Sequence, residues 1–489
     1  MTHATARKRT RSERALAFLE TVENSRTARG VLQGLDPFFE GRVPPEARGL
    51  YSAEELEALR ALRGTERDVE ARMPVKITRH YAELARRSPY LQRLIKASPD
   101  ETHDLAGIDD PGYQMDYSPI EGVIHKYELA LVYAISTCSA HCRFCYREEL
   151  IAGKAVERLD GTVERKGLAR VSHVSTYVRR HNRRVAANGG VHPDTGRPKL
   201  REILLSGGDP MVLSNIKIAT WLSAMAEAGI EVVRLGTKEL AFHPDRFDAA
   251  FLAMLDAFHE AYPDVAFRLM VHFEHPHEFL QLDRHGEVQW QENGVPKWHR
   301  RTWRALRALR SRGWIDLENQ APIIRGINDD PDALRLMQRE LKRVGVENHY
   351  FFGGRDIVAH RAFNVPIERA WHILNESQKG LSGTETHARL SVTHYKGKTE
   401  IVAVTDEPIP GVPASRDGVV VMKLLRSAAD APDRGKVAIV GRNPEALWFD
   451  GYEDRVILDE AGLFGYERKA AHAPPAAKRE ASPRELVGV

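Results

Sequence analysis

A chain of 489 residues that is 42% hydrophobic and 28% charged has ordinary globular composition, which excludes a collagen-like, wholly disordered or coiled-coil protein. Its 71 Lys and Arg against 68 Asp and Glu leave a formal net charge of +3, too balanced to argue for nucleic acid as a partner. The longest apolar run, Leu129–Ile135, is far short of the roughly 20 residues that a membrane-spanning helix needs.

The chain opens with a basic stretch, Arg7, Lys8, Arg9, Arg11 and Arg14, and no apolar segment follows it. It reads as a basic arm and not as a secretory signal. Up to about residue 118 the pattern is helical. Ser52-Ala-Glu-Glu55 is a capping box at a helix start, and a second helix is expected from Ile77 to Arg86. Ser98–Ser118, rich in Asp, Pro and Gly, reads as a loop.

From about Glu121 short apolar runs alternate with helical patterns. Strands are expected at Leu129–Ile135, Glu202–Leu205, Glu231–Leu235, Ala266–His272, Trp314–Asn319 and His349–Phe352. Helices are expected at Ile216–Ala228, Phe247–Ala261, Trp303–Arg312 and Asp332–Val344. Such alternation builds βαβ units around a parallel sheet, with the chemistry at the C-terminal ends of the strands. Six strands are too few for a closed eight-stranded barrel. The expected fold is therefore α/β, a partial (β/α)6 barrel over residues 119–375, behind an N-terminal helical region (1–118) and before a C-terminal α+β extension (376–466). The extension carries β-like runs at Leu390–Tyr395 and Thr399–Val404. Residues 467–489 are Ala, Pro and charge and read as a disordered tail. Two long loops, 161–199 and 281–301, interrupt the core, the first with a helix-like Val171–His181.

The chain has three cysteines, Cys138, Cys142 and Cys145. An odd, clustered count argues against a disulfide framework and for a metal site in a reducing compartment. The spacing C-x3-C-x2-C, directly after an apolar strand, suits three irons of a 4Fe–4S cube whose fourth iron stays open to a ligand. The alternative is structural zinc held by these thiols and a histidine such as His141. After the next strand comes Ser206-Gly207-Gly208-Asp209, where glycine lets the backbone approach a ligand closely. Alone, that segment could be an ordinary turn.

Cys138-Ser-Ala-His-Cys142-Arg-Phe-Cys145 resembles the signature of the radical S-adenosylmethionine superfamily. The resemblance implies a cluster on Cys138, Cys142 and Cys145 whose open iron binds S-adenosylmethionine. It also implies Phe144 against the adenine and the turn Ser206, Gly207, Gly208, Asp209 at the methionine amino group. One electron from the cluster then releases a 5′-deoxyadenosyl radical that takes a hydrogen from the substrate.

Over roughly residues 75–405, further segments in order resemble the lysine 2,3-aminomutase family. They are His125-Lys126-Tyr127, Arg234-Leu-Gly-Thr, His272-Phe-Glu-His275-Pro276, Asn319-Gln320, Arg325-Gly-Ile-Asn328-Asp329, Tyr350-Phe-Phe and Gly397-Lys398-Thr399. This resemblance implies pyridoxal 5′-phosphate (PLP) as a second cofactor, with Lys398 as the lysine that holds it and Lys396 as its rival. It puts Gln320 among the cofactor contacts and Lys126 at the phosphate, where an arginine is usual. It puts Arg147 at the substrate carboxylate, which a planar fork suits.

Two positions depart from the lysine enzymes, which grip the distal ammonium of their substrate with two aspartates. The first falls on Arg355, beside Asp356, and the second near Ser391 or Val392. A cationic side chain would meet a cation and no counter-charge, which is costly when desolvated. Arg355 suits an acidic or polar side chain such as glutamate. The cysteines of the family's C-terminal zinc site are missing, so no zinc is expected.

The resulting expectation is a cytoplasmic, PLP-dependent amino-acid 2,3-aminomutase. Its substrate would be a free amino acid and its reductant a flavodoxin- or ferredoxin-type donor. A homo-oligomer is expected, with no membrane or nucleic-acid partner. Two other readings stay open. One is a PLP-independent radical enzyme acting on another small molecule or on a peptide or protein lysine; the other is a non-catalytic iron–sulfur protein. His272 and His275 are further candidate cofactor contacts, with a core role as the alternative.

Overall fold

In the computed structural model, the described residues are 49–158, 160–427 and 433–464, together with Glu13, Arg14, Phe18 and Ala47. The expected tail, 467–489, and all of the basic arm but Arg14 lie outside them.

Alternating apolar runs become strands. In chain order these are β1 (Val123–Ile124), β2 (Leu129–Ile135), β3 (Ala155–Glu157), β4 (Val163–Arg165), β5 (Glu202–Gly207), β6 (Val232–Thr237) and β7 (Ala266–Val271). They continue with β8 (Ile315–Pro322), β9 (Glu347–Phe352), β10 (Arg389–Thr393), β11 (Gly397–Thr405), β12 (Val419–Ser427), β13 (Val437–Gly441) and β14 (Val456–Asp459). β3 and β4 form a separate hairpin, and the other twelve make one sheet in the order β1-β2-β5-β6-β7-β8-β9-β10-β11-β12-β13-β14. From β2 through β10 each pairing is parallel. β1 and β11 to β14 are added antiparallel.

Parallel neighbours need crossover connections. Helices Val171–Ala187, Asn215–Glu227, Ala249–Ala261, Arg300–Arg310, Pro331–Arg343 and Ile367–Gln378 supply them. Several start where the sequence offers a cap. The Ser214, Asp248 and Asp330 side chains accept from the backbone N–H of Lys217, Phe251 and Asp332. Parallel strands are covered on both faces and read as continuous apolar runs. Leu205, Val233, Leu235 and Leu269 are buried, as are Phe251, Leu255 and Phe258 on a covering helix. The N-terminal helices Arg79–Ala85 and Pro89–Ile95 join the same core through Tyr81, Leu91 and Leu94.

The structure differs from the sequence expectation at three places. β10, expected within a separate extension, pairs parallel with β9 and is a seventh parallel strand. The sheet then runs on through β12, β13 and β14, which the sequence reading did not anticipate. The loop 281–301 folds back on itself. The Gln281 N–H donates to the Lys297 carbonyl at 2.8 Å, and Leu282–Val288 and Trp290–Pro296 face each other as bridges. Its polar turn residues hide this pairing from a hydropathy pattern. Among the described residues no helix is long and apolar enough to cross a membrane.

Candidate active site

The C-terminal ends of the parallel strands converge on a cavity of about 310 Å³. Each residue singled out in the sequence lines it: Cys138, Cys142, Phe144, Cys145 and Arg147 after β2; Ser206, Gly207, Gly208 and Asp209 at the end of β5; Gln320 on β8; Arg355 after β9; Lys398 on β11; and Lys126 before β2. His272 lines it too. His275 does not: its ring stacks on Tyr90, 4.3 Å between centroids, and its Nδ1 accepts the His277 N–H.

The cysteine loop is braced from below by the N-terminal region. The His141 N–H donates to the Lys76 carbonyl and the Arg143 N–H to the Leu94 carbonyl. Lys76 Nζ donates to the Cys138 carbonyl at 2.6 Å. The Arg143 side chain turns away from the cavity and is fully buried against Glu101, with Nε to Oε1 at 3.0 Å and Nη2 to Oε2 at 2.8 Å. Burial pushes the Cys145 thiol up to about 11 and the Cys138 and Cys142 thiols well above their ordinary value. Metal binding must therefore displace protons here, and it would replace the cost of buried thiolates with bonds.

The donor set fits a cube: three thiols on one short loop, all facing one cavity, one for each of three irons. Among the described residues no three His, Cys, Asp or Glu converge as they would on a single ion. His141, the fourth ligand of the zinc alternative, is engaged through Nδ1 with the Pro74 carbonyl at 2.8 Å.

The glycines of the turn also make a close contact within the protein. A Cβ on Gly207 would lie 2.0 Å from the Ile135 carbonyl oxygen, and one on Gly208 would lie 2.2 Å from that of Thr137. Gly207 also has φ 117°, a conformation that favours glycine. The Gly208 N–H donates to Ile135 and the Asp209 N–H to Thr137, at 2.7 and 2.9 Å. The turn is thus pressed against the start of the cysteine loop. Arg147 ties the same two elements together, its Nη1 donating to Ser206 Oγ at 2.5 Å and to the Gly207 carbonyl. The Asp209 carboxylate is used locally, accepting from Met211 N–H, Thr237 Oγ1 and Lys238 N–H.

The opposite side of the cavity is basic. Its lining holds seven cationic side chains, Lys126, Arg147, Arg234, Lys238, Arg355, Lys398 and Arg426, against the single carboxylate of Asp209. Three of the seven have carboxylates nearby, Arg426 only at 3.7 Å from Glu128. Lys238 pairs with Glu274 and Glu278, and Arg234 with Glu202 at 2.5 Å. Arg355 stacks on Tyr146, its guanidinium carbon 4.3 Å from the ring centroid, and Arg147 lies over the same ring at 4.7 Å. Asp356 does not enter. It is paired with Arg361, Nε to Oδ1 at 3.0 Å. Ser391 and Val392, the second departure from the acidic pattern, are buried in β10.

Among the described residues Lys398 has no carboxylate partner. Its Nζ sits over the rings of Tyr350 and Phe352, 4.3 and 5.1 Å from their centroids. Burial, with Arg426, Arg234 and Arg355 nearby, lowers its pKa to about 7. A lysine that is neutral near physiological pH is a competent nucleophile toward an aldehyde. Lys396, the rival, points elsewhere and pairs with Asp433 at 2.9 Å. Lys126 is lowered to about 7 as well, by burial and by Arg355. Its ammonium donates to the carbonyls of Gly112 and His394. Arg234, Lys238, Tyr127 and Arg426 were missed in the sequence. Arg234 and Tyr127 lay inside noted motifs; Lys238 and Arg426 needed the sheet register or the neighbouring loops to be placed.

The depressed pKa gives a test of the site's electrostatics. Between about 7 and the ordinary 10.5 the unfolded chain binds a proton at this lysine that the folded chain does not, so stability rises with pH across that window. Below it, the folded protein bears the full cost of a buried ammonium. Lys398→Met is therefore expected to raise Tm at pH 7 by roughly a few °C, with the gain vanishing as pH approaches 10.5. A Tm difference that stays flat across this range would show that the ammonium is not held back.

No protein-family model matches the chain. It is similar to a putative L-lysine 2,3-aminomutase of Aquifex aeolicus, 30% identical over 380 residues, which is 77% of this chain and 86% of the relative. It is 22% identical over 297 residues to the L-lysine 2,3-aminomutase of Clostridium subterminale, 60% of this chain and 59% of the relative. It is 24% identical over 286 residues to the glutamate 2,3-aminomutase of Clostridioides difficile, 58% of this chain and 55% of the relative.

Proposed function

The chain belongs to the lysine 2,3-aminomutase-like family, and from that premise we propose that it is a radical S-adenosylmethionine isomerase moving the amino group of an acidic or polar α-amino acid from C2 to C3. One observation carries the substrate assignment. Arg355 faces the cavity that also holds Lys398 and the three cysteines, while Asp356, the nearest acid in the chain, is turned away onto Arg361. A substrate ammonium at that end would meet Arg355, while the nearby Asp110 carboxylate is already engaged by Lys166 and Gln114, at a cost of several kcal/mol once desolvated. A carboxylate there gains charge-assisted hydrogen bonds.

When bound, the cluster and S-adenosylmethionine supply the hydrogen-abstracting radical, and PLP supplies the carrier for the migrating nitrogen. In this reading Cys138, Cys142 and Cys145 hold the cluster. Phe144, Gln320 and the turn from Ser206 to Asp209 position S-adenosylmethionine. Lys398 offers a neutral amine to PLP, and Lys126 stands by to the same cofactor. Arg147 orients the α-carboxylate and Arg355 the side chain. The six strand–helix units would curve into a partial (β/α)6 barrel over residues 119–375, flanked by the N-terminal region (1–118), the C-terminal segment (376–466) and the tail (467–489). The electron would come from a flavodoxin- or ferredoxin-type donor.

The experiment is anaerobic reconstitution with iron, sulfide and PLP, borohydride reduction, and peptide mass spectrometry. A phosphopyridoxyl group on Lys398 is expected. With glutamate the 3-amino isomer should form, the hydrogen taken from the substrate being returned to the product, so that 5′-deoxyadenosine is released only in uncoupled turnovers. Arg355→Gln should leave the Lys398 label intact and raise KM for glutamate roughly tenfold or more. An unlabelled Lys398 in folded, cluster-loaded protein would sink the PLP assignment. A normal KM in the Arg355 variant would sink the acidic substrate.

A further inference from the structure

We propose that Arg426, helped by the hydroxyl of Tyr127, is the anion-holding end of the Lys398 site and binds the phosphate of PLP. The inference rests on the reading that Lys398 takes this cofactor, and it assigns to a C-terminal strand a task that the family resemblance gives to Lys126.

The register of β11 and β12 sets Arg426 directly across from Lys398. Opposite residues of an antiparallel pair project to the same face within reach of each other, and like charges so placed repel. Both side chains line the cavity. The strands are also squeezed at this point. A Cβ on Gly397 would lie 1.9 Å from the Arg426 carbonyl oxygen, and the ladder shifts register between Lys398 and Thr399. Two cations are thus held side by side.

The acid nearest to Arg426 does not neutralise it firmly. Glu128 Oε2 is 3.7 Å from Arg426 Nη1, while its other oxygen stands 3.8 Å from Arg434, and the carboxylate is 48% exposed. By contrast, Lys126 already donates to two backbone carbonyls. Tyr127, next to it, lines the cavity with a buried hydroxyl that has no hydrogen-bond partner. Both Arg426 and Arg355 act electrostatically on that phenol. A buried, unpartnered donor is costly unless a ligand accepts from it. An uncommitted guanidinium fork, an orphaned hydroxyl and an adjacent neutral amine describe a receptor for an aldehyde that carries a phosphate.

The test is equilibrium dialysis of the full-length, cluster-loaded protein in chloride buffer against PLP and against pyridoxal, the same aldehyde without the phosphate. The parent protein should prefer PLP. Arg426→Met should weaken PLP roughly tenfold to hundredfold and pyridoxal far less, so that the preference collapses. Arg426→Lys should recover part of it, and Tyr127→Phe should lose several-fold. An Arg426→Met protein that keeps the phosphate preference, or that loses both ligands equally, overturns the assignment. A parent protein that binds neither aldehyde overturns the PLP reading itself, a distinct outcome.

Discussion

Replacing Glu101 by glutamine is expected to strip most of the iron from the cluster proposed on Cys138, Cys142 and Cys145 while leaving every cysteine in place. Arg143 lies between Cys142 and Phe144, and its side chain is 0% exposed. Glu101 is its counter-charge, meeting Nε with both oxygens at 3.0 and 3.1 Å and Nη2 at 2.8 Å. The remaining N–H groups reach the carbonyls of Val69 and Met73. Glutamine preserves the shape and removes the charge. Breaking one side of a buried pair leaves an uncompensated ion and costs about 3–5 kcal/mol. Because the stranded cation is part of the cysteine loop, the loop must move to hydrate it, and the three sulfurs lose their common orientation. Iron and sulfide content per chain after reconstitution should fall to a minor fraction, with Tm lowered by several °C. Full cluster occupancy in this variant would show that the backbone bonds to Lys76 and Leu94 hold the loop without help.

Gly208→Ala should separate cluster from ligand. The added methyl would sit 2.2 Å from the Thr137 carbonyl oxygen and 2.5 Å from its carbon. Both are backbone atoms, so no side chain can swing aside. The turn must lift from the cysteine loop, and the bonds from Gly208 and Asp209 to Ile135 and Thr137 are lost or stretched. Each is worth about 1 kcal/mol, and the displaced turn forfeits its fixed distance to the loop as well. Iron content should stay near that of the parent, since Cys138, Cys142 and Cys145 keep their N-terminal brace. Affinity for S-adenosylmethionine should fall on the order of a hundredfold or more. Dialysis with the reconstituted variant reads both quantities in one sample. Undiminished binding would remove the turn from the S-adenosylmethionine site.

What was legible in the sequence was what lies close together in it. The cysteine spacing and the Gly207-Gly208-Asp209 turn are contiguous. The strand–helix alternation needs only local hydrophobic periodicity, and the structure has strands and helices at each expected position within a few residues. What escaped depends on distance along the chain. Glu101 reaches Arg143 from 42 residues away, and nothing in either segment announces the pair. Arg426 escaped for a different reason. In β12 the residues Val420, Met422 and Leu424 are buried, and Arg426 continues that alternation. A charge in step with an apolar face was the available signal. It was missed because the strand itself was not recognised. The purpose of the glycines was also only half visible. Composition says that something comes close to Gly208, but only the register of β2 and β5 says that it is the cysteine loop.

The cationic lining of the cavity makes it a trap for anions. Burial together with Arg355 and Arg426 holds the neighbouring Lys126 and Lys398 near neutrality, and whatever anion enters lets those lysines take up protons and relieves the strain. By mass action each such occupant raises the population of folded chains. Melting temperature becomes a reporter of occupancy, graded by the negative charge of the guest. Buffers then cease to be neutral spectators: inorganic phosphate or sulfate would shield the cavity and mask weaker guests, whereas chloride at low ionic strength leaves the contrast intact. A thermal-shift screen of amino acids run in such a buffer should rank dicarboxylic ones above lysine before any turnover has been observed.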